Sequence, residues 1–180
     1  DMHKSHLLIS TWHTLPLTTP ALLMLHDMLP EILLGEQRLQ EGRWREKQAA
    51  IEHAAAYLAV SENTAHDLLI FYPDAAVKPL LIMHNGVSAG FLPAEAERIA
   101  DFRARFGIAK PYYLFVGPRV WYKNFQVLLD AYALLPDAAS CCIVSTGNQE
   151  LEAEFADHPA ACAVCLPGRL SEEDLVAAYS

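Results

Sequence analysis

Arg119 and Lys123 stand four positions apart, directly after an apolar run at residues 112–116 that stops at Gly117 and directly before a helical pattern that opens at Phe125. That order places two fixed cations on a loop at the carboxyl end of a strand, where open α/β sheets bind ligands, beside a helix N-terminus that also favours anions. The chemistry it indicates is the holding of a phosphate-bearing ligand; the plain alternative is a pair of solvated charges on an exposed loop. His26 has a related setting, since it follows the apolar residues 21–25 and precedes Asp27. A histidine there either meets a ligand or bonds to Asp27 or a backbone carbonyl and orders its loop. Gly117 and Gly147 each close a strand-like run, and glycine at such a point permits a positive φ or a close approach of backbone to a ligand. Asn148 is the neighbour of Gly147.

Other residues carry weaker signals. Trp12 and His13 follow the first strand-like run and either line a binding surface or pack; Trp121 and Tyr122 either shield the loop of Lys123 or stack on a ligand. Asn85 and Gly86 form a turn dipeptide, and Ser61 and Ser171 each precede a helical run as N-caps, with Asp174 completing a capping-box-like pattern after Ser171. Arg38, Arg43, Arg45 and Lys47 alternate with Glu36, Glu41 and Glu46. Such a helix normally presents a solvated face of paired charges, and a membrane-facing role is the sharper alternative. Cys141, Cys142, Cys162 and Cys165 lie in apolar strand-like runs, which reads as buried free thiols rather than a metal or redox site.

The elements that must position these residues alternate regularly. Strand-like runs fall at residues 7–11, 21–26, 57–61, 79–84, 112–116, 141–145 and 162–166. Helical patterns fall at 38–55, 62–71, 95–106, 125–135, 149–155 and 172–179. This alternation predicts an α/β protein of parallel βαβ units. The turn-rich stretch 85–93 reads as a linker between residues 1–90 and 91–180.

With 180 residues, 53% of them hydrophobic, the chain has ample material for a core and none of the composition of disorder. A net charge of -9 lacks the basic excess of a nucleic-acid binder. No apolar run approaches the ~20 residues that span a bilayer, and the first residues carry no signal-peptide pattern, so a cytoplasmic protein is expected, with contact to the inner membrane face left open. No Asp-x-Asp motif is present, so no metal or other cofactor is expected. No G-x-G-x-x-G follows a strand, which disfavours a dinucleotide enzyme.

Five stretches, LLMLHDMLPE at 22–31, YLAVSENTAHDLL at 57–69, IMHNGVSAGF at 82–91, YYLFVGPRVWYKNF at 112–125 and GRLSEEDLVAAYS at 168–180, occur in the order seen in the family-4 retaining glycosyltransferases of the GT-B fold, and the chain resembles that family over nearly its whole length. Within it, the VGxRxxYKNF form is most similar to bacterial mannosyltransferases of surface-polysaccharide or lipopolysaccharide assembly. The resemblance implies parts of two Rossmann-like domains: residues 1–90 from the acceptor-side domain and 91–180 from the nucleotide-sugar-binding one, with the active site in the cleft between. It implies transfer of a sugar with retention, mannose from GDP-mannose, to a saccharide or lipid-linked saccharide. His26, Arg119 and Lys123 match its catalytic positions, and Gly117, Arg119, Lys123, Gly147 and Asn148 its donor-binding ones. Fixed cations would then compensate the departing diphosphate. A sugar-nucleotide epimerase of the same architecture and a non-catalytic nucleotide-sugar-binding fragment are the competing readings. The family's pair of glutamates, eight residues apart, has no equivalent here; the chain reads as a piece of a longer protein that does not turn over alone.

Overall fold

The structure is a computed structural model that describes residues 6–14, 16, 18–34 and 42–180. Two compact units divide at Gly86 and Val87. The first contains strands β1 (Leu8–Ser10), β2 (Ala21–Leu25), β3 (Ala56–Ala59) and β4 (Leu80–Ile82) with helices α1 (Leu29–Leu33), α2 (Gly42–His53) and α3 (Glu62–Phe71). The second contains β5 (Tyr112–Phe115), β6 (Cys142–Thr146) and β7 (Val164–Gly168) with α4 (Ala96–Arg105), α5 (Phe125–Ala133), α6 (Ala153–Ala156) and α7 (Glu172–Tyr179). The strands pair in sequence order in each unit, and every pairing among the described residues is parallel. The α/β architecture expected from the alternation is thus present in both.

Burial explains the sequence pattern. β2 alternates buried and half-buried positions; Ala21, Leu23 and Leu25 are buried, and Leu23 and Leu25 join a core that includes Met28, Ala50, Ile51 and Tyr57. In β6 adjacent residues serve opposite faces: Ile143 joins a cluster with Phe125, Leu129 and Phe155, while Val144 joins one with Phe102, Ile108 and Ala177. Both faces of this sheet are therefore covered, which is why its strands read as continuous apolar runs. The serine caps behave as their positions dictate: Ser61 Oγ accepts the Thr64 amide and Ser171 Oγ the Asp174 amide, each at 3.1 Å.

Several expectations change. The run at 149–155 forms only the short α6, because the carbonyls of Asn148 and Glu150 accept from Arg119 instead of entering a helical ladder. The strand expected at 162–166 begins at Val164, after a single 3₁₀ turn at Ala161–Ala163. Cys162 thus lies before the strand and is exposed, while the other three cysteines are half-buried, and all four are free thiols. The helix expected at 38–55 is seen as α2; Glu36, Arg38 and Glu41 lie outside the described residues. Lys47 does not belong to a solvated face. It is 3% exposed, on the same stripe of α2 as Ala50 and Ile51, at the three- and four-residue spacing that turns inward. Among the described residues, no helix is long and apolar enough to cross a membrane.

Candidate functional site

Three loops meet at the carboxyl ends of β5, β6 and β7. Residues 116–118, 146–148, 169, 170 and 175 line a cavity of about 380 Å³ there, inside the second unit. Two glycines, Gly117 and Gly147, stand among these lining residues. Gly147 has φ 116° and donates its amide to the Gly168 carbonyl at 2.9 Å; a Cβ on it would stand 3.1 Å from the Gly117 carbonyl oxygen. Gly117 has φ 106°, and its amide donates to Thr146 Oγ1 at 3.3 Å. A methyl group on Gly117 would lie 2.9 Å from Lys123 Nζ. The glycine therefore serves both demands at once, a backbone conformation closed to other residues and room for an ammonium group.

Lys123 closes a 3₁₀ turn, Trp121–Lys123, in which its amide donates to the Val120 carbonyl at 2.9 Å. Asn124 follows with φ 51°, a left-handed conformation that asparagine tolerates, and redirects the chain into α5. The Lys123 side chain is exposed, with no ion-pair partner among the described residues. Its Nζ, a donor of three N–H groups, stands against Gly117 beside the cavity. Trp121 and Tyr122 on the same turn are exposed and meet edge to face, 6.1 Å between ring centroids.

Arg119 is placed quite otherwise. Its side chain has no exposure and pairs with Glu152 at 2.7 Å. Burial would push the Glu152 carboxyl up, but hydrogen bonds from Arg119, from its own backbone amide and from Asn148 outweigh that and hold it below the ordinary carboxylate range. Arg119 is thus on the loop after β5, as the sequence indicates, but its side chain is buried among these partners and is not among the residues that line the cavity.

Arg169 escaped the sequence reading. It is an exposed cation lining the cavity, directly after Gly168 at the end of β7. The same glycine-then-cation order that marks the end of β5 was there to be read, but the strand was expected to stop two residues early, at residue 166.

In the first unit, His26 follows β2 as expected. Its exposed ring donates from Nε2 to the Thr11 carbonyl at 3.1 Å, joining the loops after β1 and β2. Asp27 orders the same loop, its Oδ1 accepting the Leu29 amide at 3.0 Å. Beneath lies a network absent from the sequence reading: Lys47 Nζ donates to Glu31 Oε2 at 2.7 Å and to the Asp27 carbonyl at 2.9 Å, and the Tyr72 hydroxyl donates to Glu31 Oε1 at 3.0 Å. Burial and the Glu31 charge push the Tyr72 hydroxyl far up. His13 stacks on Trp12, centroids 4.6 Å apart, and its pKa is lowered by burial and by the Lys47 charge.

No protein-family model matches the chain. It is 32% identical over 120 residues to two sequences of the serotype-specific mannosyltransferase WbdA of Escherichia coli, a match covering 62% of this chain and 14% of each relative. Among solved structures, Anabaena Alr3699/HepE in complex with UDP-glucose aligns with a TM-score of 0.67 at 16% identity, over 89% of this chain and 44% of that one. WaaG, a glycosyltransferase involved in lipopolysaccharide biosynthesis, aligns with a TM-score of 0.68 at 15% identity, over 96% of this chain and 51% of that one. The fold is therefore mixed α/β with parallel sheets, similar to the GT-B glycosyltransferases, and the resemblance read from the motifs is shared by a curated mannosyltransferase. The chain spans about half of these solved structures and a much smaller part of WbdA.

Proposed function

We propose that the chain is the central part of a glycosyltransferase of surface-polysaccharide or lipopolysaccharide assembly, one that moves mannose from GDP-mannose to a saccharide or lipid-linked saccharide with retention. The observation that carries this reading is the cavity at the ends of β5–β7, lined by Gly117 and Gly147 among others and flanked by the ammonium of Lys123, which has no ion-pair partner among the described residues. Its volume suits part of a nucleotide sugar. The identity to WbdA supports the choice of mannose.

In the proposed reaction the glycosidic C–O bond to the diphosphate breaks as an acceptor hydroxyl attacks from the face of departure. The acceptor proton passes to the leaving diphosphate oxygen, and the products are a retained glycoside and GDP. Lys123 stabilises the charge that develops on the leaving group, and the amides around Gly117 and Gly147 border the donor. The protein contributes position and a preset positive charge, with the Lys123 ammonium in place of a metal. His26 is the group proposed from the first unit to meet the donor sugar or its phosphate. Residues 1–90 are proposed as acceptor side, 91–180 as donor side, and the enzyme is proposed to work in the cytoplasm.

The test is incubation of the full-length protein with labelled GDP-mannose and a lipid-linked saccharide, followed by assignment of the new anomeric centre. Transfer with the donor's configuration is expected. An epimerised nucleotide sugar, or binding with no transfer, would overturn the reading.

A further inference from the structure

Arg119 commits four of its five N–H donors inside the second unit. Nε donates to Glu152 Oε2 at 2.7 Å, Nη1 to Ser145 Oγ at 2.9 Å, and Nη2 to the carbonyls of Glu150 at 2.7 Å and Asn148 at 3.3 Å. The guanidinium also faces the Phe125 ring, 5.6 Å from its centroid. Glu152 is committed in turn, since its other oxygen accepts from Asn148 Nδ2 at 3.0 Å. For this arginine to turn toward a phosphate, Glu152 would lose its partner and three further acceptors would lose their donor, a cost that a ligand must offset before it gains anything.

What the guanidinium holds is the cavity wall. Ser145 belongs to β6, Asn148 and Glu150 to the loop that follows, and Glu152 to the entry of α6, while the backbone of Arg119 continues from the opposite wall at Gly117 and Pro118. We infer that Arg119 is a positioning residue that, through Glu152, fixes residues 147–152 in the shape they present to a donor diphosphate, and that it does not itself touch the phosphate. The identity of the ligand rests on the glycosyltransferase reading; the clamp does not.

The two roles available to Arg119 predict opposite signs. Were it a phosphate ligand restrained by Glu152, Glu152→Gln would free it and tighten binding of GDP. As a clamp, Glu152→Gln loosens the wall and weakens GDP binding, by roughly three- to tenfold, and Arg119→Lys, which keeps the charge and loses the planar fork, weakens it by about tenfold or more.

The experiment, on the full-length protein, measures GDP binding by calorimetry and hydrogen exchange at the Gly147 amide in the parent, Glu152→Gln and Arg119→Lys. The clamp predicts weaker GDP binding and faster exchange at Gly147 in both variants, with the β5–β6 amides still protected. Tighter GDP binding in Glu152→Gln, unchanged Gly147 exchange, or loss of protection throughout the unit would each overturn it. If the parent protein binds no GDP, the function proposed above falls, and exchange at Gly147 alone decides the clamp.

Discussion

In the first unit a lysine with two partners supports the loop after β2; in the second an arginine with four supports the loops after β5 and β6. The Lys47–Glu31 pair is closed to water on both sides, at 4% and 3% side-chain exposure, whereas Arg119 is fully enclosed but Glu152 is 29% exposed. A closed pair between helices chiefly secures the packing of α1 and α2, and it also holds the Asp27 carbonyl and the Tyr72 hydroxyl. A pair open on one side, with a planar fork reaching several backbone carbonyls, shapes a surface. Breaking the first should cost stability; breaking the second should cost form.

The largest effect is expected from Lys47→Met, which leaves the Glu31 charge buried without its counter-ion, with the neutral Tyr72 hydroxyl still donating to it. The first unit should lose about 3–5 kcal/mol in urea unfolding, and pairing it with Glu31→Leu should restore most of that. A single mutant as stable as the parent would remove the distinction between the pairs.

Next in size is Lys123→Ala. Because this ammonium is exposed and unpaired among the described residues, the variant should unfold at the parent's urea midpoint yet bind GDP-mannose roughly ten- to a hundredfold more weakly. Unchanged affinity would take Lys123 out of the donor site.

Gly147→Ala sharpens the comparison from the backbone side. With φ at 116° and the added carbon 3.1 Å from the Gly117 carbonyl, it should cost about 1–3 kcal/mol of stability in the second unit and leave the first unit's transition in place. Separate unfolding transitions, followed by a probe in each unit, would read this directly.

The smallest effect is that of acid on Glu152. Its folded pKa lies below the ordinary ~4.3, so the pair's contribution is complete above that value and is lost as pH falls through the folded value. Protection of the Gly147 amide should decline across that window, and a carboxyl that titrates at the ordinary glutamate value would contradict the pairing.

Much of this molecule was readable in advance because its determinants are local. α3 occupies the predicted residues 62–71, since Ser61 caps the helix, and Gly117 follows the end of β5 because the chain turns there with a positive φ. The position of Lys123 beside Gly117 follows from the same few residues. The burial of Lys47 and the internal partners of Arg119 are not legible in the sequence, for a shared reason. Charged side chains are usually solvated, and the groups that make these two exceptions, Glu31 and Tyr72 for one, Ser145 and Glu152 for the other, lie 16 to 33 positions away. No periodicity reports a partner at that range. Arg169 was missed by a smaller error, the two-residue shift of β7 behind its 3₁₀ turn.

The spacing of the Arg119 contacts also bears on how the polypeptide acquires its binding surface. The acceptors of this guanidinium lie 26, 29, 31 and 33 residues further along the chain. During synthesis the arginine emerges well before any of them, hydrated and without a counter-ion. Closing such loops spends entropy before the contacts reward it, so the groups can gather only once β6 has docked against β5. The wall at residues 147–152 is consequently expected to form late in folding, timed by strand pairing and not by the loop's own sequence.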